Sequence, residues 1–349
     1  MGLLIQKIPS ALLTDVRQVT VFWVGRLGDF LLATPFLRSL RIRFPRARIR
    51  MVVGDKGLEI AQMCPDIDEI RTVRSVLHPF ANLRLAWNLR FKPADLLIDL
   101  NPSYSRVSTV LGLCAAAKTK LCFEKPGSFA FTHQIAEAGV NEHMLDRYGR
   151  LAQVLNMAYE PTLRVRLSDE DRGIGKKIMA ASLRLLKLPE TKENRLWIGI
   201  HPGNFKKFDN RWPEENFVEL AGRLLQLPNI QLFFLSGPGE EKQVRAIAEK
   251  LPQKAPVLPP FSLRETAGIL SCLNLLIVNA TGTAHLAAAL QVPTFTFLSR
   301  YTKTLWMPRS GPHFSVVSGE WESCRNIPVE EAWKALQHAL KHFSPAGKT

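Results

Sequence analysis

In the stretch Val278-Asn279-Ala280-Thr281-Gly282-Thr283-Ala284-His285, an apolar run from Leu273 to Val278 stops at a small, polar, glycine-containing turn. An alanine- and leucine-rich run to Leu290 starts at once. The reading is strand, tight turn, helix. The first amides of such a helix have no acceptor inside it and sit at the positive end of its dipole, so the turn is a ready anion site, most often for phosphate. Gly282 lets a ligand approach the backbone, and Thr281, Thr283 and His285 add side-chain donors. An ordinary βα turn with threonine as N-cap accounts for the same residues.

Other turns bear on that choice. Gly25-Arg26-Leu27-Gly28-Asp29 lies between a strand, Val19–Val24, and a helix, Leu31–Phe44. A carboxylate there stays ionised beside a helix N-terminus and could take a proton, or Asp29 is simply an N-cap. His201-Pro202-Gly203-Asn204 follows a strand and leads into Lys206, Lys207, Arg211, Trp212 and Pro213, a candidate phosphate clamp in which the two lysines could equally be a charged surface loop. Arg211 beside Trp212 is the stronger member, and Pro213 fits the first position of a helix. Ser236-Gly237-Pro238-Gly239-Glu240 suits a base or ribose, with Glu240 accepting from hydroxyls, and reads equally well as a plain turn. Asp66-Ile67-Asp68 looks like a metal-holding pair of acids but falls before a strand, at the wrong end for a site of this kind. With no H-x-x-x-H spacing, a catalytic metal is not expected.

The elements that must position these turns alternate twice. The first half gives strands Val19–Val24, Ile49–Val53, Ile70–Val73, Asp95–Leu100 and Lys120–Phe123, with helices Leu31–Phe44, Ala81–Phe91, Arg106–Ala115 and His143–Met157. The second gives strands Leu196–His201, Ile230–Ser236, Val257–Leu258, Leu273–Val278 and Thr294–Leu298, with helices Pro213–Gln226, Glu240–Leu251, Leu263–Ser271 and Thr283–Leu290. Ser168-Asp169-Glu170-Asp171 is a capping box that opens a basic helix to Leu188, Pro189 to Asn194 is the linker candidate, and Val329–Phe343 is a final amphipathic helix. Such alternation predicts an α/β protein with two doubly wound, Rossmann-like parallel sheets, whose ligands meet the carboxyl ends of the strands in a central cleft. The expected domains are 1–165 and 166–326, with 327–349 packing back across them.

A chain of 349 residues with 46% hydrophobic and 22% charged residues has the composition of an ordinary globular protein. No apolar run reaches the ~20 residues that cross a bilayer. The start reads neither as a secretion signal nor, with Gln6, as a myristoylation site. Cys64, Cys114, Cys122, Cys272 and Cys324 are odd in number and form no CxxC, which argues against a zinc site or a disulfide framework and for a reduced, cytoplasmic setting. The net charge of +15 calls for an anionic partner. No nucleic-acid reading module is evident. The densest cluster, Arg38, Arg41, Arg43, Arg46, Arg48 and Arg50, is either a solvated face or a phosphate-binding one.

Taken together, Arg26-Leu27-Gly28-Asp29 with Ala33-Thr34-Pro35, His201-Pro202-Gly203, Arg211-Trp212-Pro213-Glu214-Glu215-Asn216-Phe217, and Asn279 to Leu290 with Pro293 resemble the ADP-heptose glycosyltransferase family, the lipopolysaccharide core heptosyltransferases. The resemblance runs from about Val19 to Leu298 and keeps the motif order. It implies a GT-B fold, with an acceptor domain followed by a nucleotide-sugar domain, and an inverting transfer without metal or other cofactor. Asp29 would be the general base. The leaving diphosphate would be held by the amides of Thr281 to Ala284 with His285, His201, Gly203, Lys207 and Arg211, and Glu240 would sit at the ribose. Arg26, Gly28, Arg41 and Arg43 would face the acceptor, an anionic glycolipid at the inner membrane face, and the enzyme would be a monomer. Two departures bear on the donor: many members have Asp where this chain has Ala280, and Lys where it has Asn210. The alternatives are a GT-B enzyme using another nucleotide sugar and a non-catalytic basic binding protein.

Overall fold

Apolar runs become the strands of two all-parallel sheets, buried on both faces, which is why they read as near-continuous rather than alternating. The computed structural model describes residues 8–74, 78–136, 141–190, 192–193, 195–204, 210–309 and 311–343. The chain divides into two units, Met1–Arg166 and Leu167–Thr349.

In the first unit the strands are β1 (Gln18–Trp23), β2 (Arg48–Gly54), β3 (Glu69–Val73), β4 (Ala94–Asp99), β5 (Ala117–Phe123) and β6 (His133–Ile135). Their order is β3-β2-β1-β4-β5-β6, all parallel, with Gln18 opposite Arg48 and Trp23 opposite Val53. The helices are α1 (Leu27–Arg43), α2 (Leu58–Gln62), α3 (Pro79–Phe91), α4 (Arg106–Cys114) and α5 (Met144–Val154). Strand order reverses between β1 and β4, so the crevice that an open parallel sheet offers a ligand lies beyond the ends of those two strands.

The second unit repeats the plan. Its strands are β7 (Leu196–His201), β8 (Ile230–Leu235), β9 (Val257–Leu258), β10 (Leu275–Asn279), β11 (Thr294–Leu298) and β12 (His313–Val317), ordered β12-β11-β10-β7-β8-β9. The helices are α6 (Asp169–Leu185), α7 (Glu214–Leu225), α8 (Glu241–Ala248), α9 (Leu263–Leu270), α10 (Gly282–Ala289), α11 (Arg300–Trp306) and α12 (Val329–Lys341). Here the reversal falls between β7 and β10, whose ends carry the His201 and Thr281 turns. Helix α12 packs on this unit's own core, with Ala332, Leu336 and Ala339 buried beside Phe295 and Val316.

Three expectations change. The units part after Arg166 rather than at the linker expected over 189–194, of which 191 and 194 lie outside the described residues, and α6, ahead of it, packs on α9 within the second unit. Helix α1 begins at Leu27, four residues before the expected Leu31, so Asp29 lies inside its first turn and Arg26 holds the N-cap position. Pro213 is the N-cap of α7 rather than its first helical residue. The short elements β6, β12, α2 and α11 carried too few apolar repeats to be read.

The fastening of α6 is unusually close. A Cβ on Gly175 would lie 2.1 Å from the carbonyl carbon of Gly268, and one on Gly268 would lie 2.3 Å from the Asp171 oxygen. Both obstacles are backbone and cannot turn aside. Replacing Gly175 by alanine should destabilise the chain by about 3 kcal/mol through forced separation of α6 and α9. Urea unfolding of the intact chain checks this, and an unchanged midpoint would show that the helices part freely.

Candidate active site

In the second unit the site is built around Asn279, the last residue of β10, which is wholly buried. Its Oδ1 accepts from the Trp212 amide at 3.0 Å, and its Nδ2 donates to Pro202 O at 2.9 Å and Gly203 O at 3.1 Å. One side chain thus joins the end of β10, the turn after β7 and the entry to α7. Trp212 is fixed further by donating Nε1 to Ile327 O at 2.9 Å and by stacking on Phe297, with centroids 4.0 Å apart. These bonds set Arg211 at the start of α7, where it pairs with Glu214 at 3.5 Å.

The α10 turn does not behave as an ordinary cap. Thr281 occupies the N-cap position, extended at φ −136° and ψ 170°, yet its side chain caps nothing. Its Oγ1 is buried and has no hydrogen-bond partner among the described residues, as is true of His201 Nδ1. Unsatisfied buried polar atoms are costly, so two at adjacent strand ends call for a ligand or water to complete them. The amide of Ala284 is used internally, donating to Thr281 O at 3.1 Å, which corrects its assignment as a diphosphate donor and leaves Gly282 and Thr283 as the leading amides. Thr283 and the buried His285 follow within the first turn of α10.

Burial pushes the His201 imidazole below its ordinary range, with the Glu240 carboxylate, 3.5 Å from Nε2, acting the other way. The ring is therefore neutral at pH 7 and keeps an acceptor. Glu240 takes a different place from the ribose acceptor expected of it. Oε1 accepts from Asn204 N at 3.0 Å and Oε2 from Gly237 N at 2.9 Å, so it pins the turn after β7 to the turn after β8. Gly203 has to be glycine for this contact, since a Cβ there would lie 2.3 Å from Glu240 Oε2. Lys206 and Lys207 lie outside the described residues.

In the first unit Asp29 stands at the third position of α1, with Gly28 before it and the exposed Arg26 leading the helix. Gly25 packs on Trp23, where a Cβ would come within 2.9 Å of the indole. Behind this turn lies a buried cluster that sequence reasoning missed. Lys125 Nζ donates to Asp99 Oδ2 at 2.8 Å and to Asn101 O, while Asn101 Oδ1 accepts from the Val24 amide at 2.8 Å and its Nδ2 donates to Ser108 Oγ at 2.9 Å. The side chains of Asp99 and Lys125 are 0% and 3% exposed. The network joins the ends of β4 and β5 to the residue that opens the Asp29 turn. The available signal was an acid, Asp99, directly after the apolar run Leu96-Leu97-Ile98 at the end of β4. Burial, then the Asp29 carboxylate, Tyr159 and Asp99, raise the Tyr148 hydroxyl above its ordinary value, so Asp29 acts electrostatically on a fully buried phenol.

The arginine cluster is structural at most of its positions. Arg41 binds Asp68, donates to Ala47 O at 2.8 Å and reaches Asp66 O at 3.2 Å; Arg38 pairs with Asp66, and Arg48, Arg50 and Arg71 converge on Glu69. Asp68 also accepts from the Ile49 amide at 2.7 Å, at the beginning of β2. Nothing in this geometry supports the acceptor role expected of Arg41 and Arg43. They end a 17-residue helix, about 20 Å along it from Asp29, at the opposite edge of the sheet from the strand carboxyl ends.

The model of glycosyltransferase family 9 (heptosyltransferase) matches residues 82–327. The chain belongs to that family. It is therefore a glycosyltransferase, and the matched span covers the Asn279 assembly and both turns it holds, while the β1–α1 turn with Asp29 precedes it. Lipopolysaccharide heptosyltransferase 1 of Campylobacter coli is 23% identical over 297 residues, covering 80% of this chain and 83% of that protein. Among solved structures, a family 9 glycosyl transferase from Veillonella parvula superposes with a TM-score of 0.81 at 22% identity, over 94% of this chain and 98% of its own. The Escherichia coli heptosyltransferase WaaC with ADP-2-deoxy-2-fluoro heptose gives 0.68 at 19% identity, over 92% and 99%. These likenesses establish the fold as that of GT-B heptosyltransferases, two parallel six-stranded sheets with flanking helices.

Two predictions follow from the charges that hold the first unit of this family 9 enzyme. Lys125→Met strands the Asp99 carboxylate in the interior and should lower stability by about 3 kcal/mol, measured by chemical unfolding. For Glu69, burial raises the carboxyl, but the Arg71 hydrogen bond and the charges of Arg50, Arg71 and Arg48 prevail and hold it below its ordinary range. Its contribution is complete above the unfolded-state value and fades as pH falls through the folded one. Glu69→Gln should cost about 2 kcal/mol at pH 7. The gap between variant and parent should close on acidification below pH 4; a gap that does not depend on pH would remove the ionic explanation.

Proposed function

We propose that this enzyme transfers a heptose, with inversion and without a metal ion, from ADP-heptose to an anionic lipopolysaccharide inner-core acceptor of lipid A–Kdo type. The acceptor hydroxyl oxygen attacks the anomeric carbon, the bond from that carbon to the diphosphate oxygen breaks, and Asp29 takes the hydroxyl proton. ADP leaves with the sugar's former bonding pair as added negative charge. The groups available to neutralise it are the amides of Gly282 and Thr283, Thr281 Oγ1 and Arg211, fixed donors in a site whose β10 end is buried. Arg26 and Gly28, beside Asp29, are the acceptor-side residues of this reading. The observation that carries it is Thr281, an N-cap whose buried hydroxyl caps nothing. The enzyme acts as a monomer at the cytoplasmic face of the membrane, and among the described residues no helix is long and apolar enough to cross one.

Ala280, half-buried beside Thr281, favours a second reading in which the donor is another ADP-, UDP- or GDP-sugar. A nucleotide that binds only the folded chain raises its apparent stability by mass action, so thermal unfolding with ADP, UDP and GDP separates the two. ADP is expected to give the largest shift; a UDP shift with none from ADP would reject the heptose donor.

Asp29→Asn should lower kcat by about 10²- to 10⁴-fold with ADP affinity intact, because only proton removal is lost. Thr281→Val should do the opposite, weakening ADP about tenfold through one missing bond to a charged group. Single-turnover kinetics and calorimetric titration read the two effects, and parental rates in the Asp29 variant would take that residue out of the chemistry.

A further inference from the structure

Helix α3 is apolar on two sides. Leu85 and Leu89 face the sheet, buried with Leu97 and Leu111, as the core requires. On the other side Phe80, Leu83, Trp87 and Phe91 recur at helical spacing and are 85, 67, 65 and 61% exposed. A helix apolar all round is normally enclosed by its own protein; this one is enclosed on one side. Its neighbours on the same face of the sheet continue the surface. Helix α4 presents Val110 and Leu113, and the turn packed against it presents Phe129, all more than half exposed. Among the described residues thirteen large hydrophobic side chains are exposed, and seven of them belong to these three adjacent segments, so the exposure is concentrated in one patch rather than scattered singly.

Charge selects the occupant. From Arg74 to Phe123 the chain carries seven Lys and Arg against two acids, Asp95 and Asp99. Both acids are already engaged, Asp95 by Lys118 and Asp99 by Lys125. Arg84, Arg90 and Lys92 lie exposed among the apolar side chains of α3, and Arg106 opens α4. Aromatic and aliphatic groups interleaved with uncompensated cations match the boundary of an anionic bilayer, where rings enter the headgroup region and guanidinium groups meet phosphates. A second copy of the chain fits poorly, because a two-fold contact across α3 would bring the cations of one copy, Arg84 and Arg90, against those of the other.

We propose that the α3–α4 face is a membrane-docking surface that seats the enzyme on anionic lipid. The proposal deepens the proposed function and rests on it for its purpose, since a glycolipid acceptor is presented at a bilayer. The surface itself is tested without substrate.

The full chain is mixed with vesicles of phosphatidylglycerol and phosphatidylethanolamine, or of phosphatidylcholine alone, and sedimented at low and high salt. It should pellet with the anionic vesicles and release as salt rises. Trp87→Ser/Phe91→Ser should weaken binding at least tenfold, Arg84→Ser/Arg90→Ser should abolish the preference for anionic lipid, and Leu185→Ser, an exposed leucine of the second unit, should change nothing. Unchanged thermal unfolding shows that the variants fold; if the Trp87/Phe91 pair does not, the charge pair carries the test. No binding of the parent chain to anionic vesicles overturns the proposal, as does equal loss in the Leu185 control, or a dimer in light scattering that the Trp87/Phe91 pair dissolves. ADP binding is followed in the same samples. Its failure with vesicle binding intact would sink the ADP-heptose reading alone, and the reverse would sink the docking surface alone.

Discussion

Asn279 ends β10 without exposure, and its single side chain meets Trp212 N, Pro202 O and Gly203 O. A carboxylate in its place could accept from Trp212 but could not donate to the two carbonyls; an apolar residue would leave three backbone groups unsatisfied. An amide is the side chain that answers both demands. Through these bonds the turn after β7, the entry to α7 and the start of α10 take their positions from one another. Glu240 repeats the device one strand further on, binding the amides of Asn204 and Gly237. Polar residues at the strand ends are thus divided in two kinds, those that hold turns together and those, such as Thr281, that await something else.

The same division explains the chain's charge. A net +15 looks at first like one large electropositive surface. Much of the arginine in the first unit is instead spent on Asp66, Asp68 and Glu69 at the beginnings of the strands, where it knits β2 and β3 to the end of α1. The unbalanced positive charge of that unit lies elsewhere, on the segment from Arg74 to Phe123, which holds two acids and has both of them paired. Charge counted along a sequence says how much there is; the fold says which of it still faces a partner.

The alternation of apolar runs and helices was legible because parallel strands covered on both faces are almost purely apolar, and β7, β9 and β11 took the residues expected of them. The turns after β1, β7 and β10 were legible as well, since glycine, threonine and proline at a strand-to-helix junction carry their own local signal. What could not be read was pairing over long separations. Nothing around Lys125 announces that its ammonium reaches back to Asp99, nor does Glu240 reveal that its carboxylate takes the Asn204 amide of the turn after β7. Arg41 was misjudged for a related reason: distance along a helix separates it from the strand ends although its sequence number is close to theirs. The start of α1 was also placed late, because Leu27 and Gly28 begin it before any periodicity has accumulated.

The crossing of α6 and α9 carries a lesson about glycine. Gly175 and Gly268 touch backbone to backbone and no side chain of any kind fits between them. Both positions lie away from the turns that could bind a sugar nucleotide, so the demand comes from architecture alone. A descendant of this chain that had lost all transferase chemistry would still be obliged to keep the pair, and glycine there marks the survival of a shape rather than of an activity.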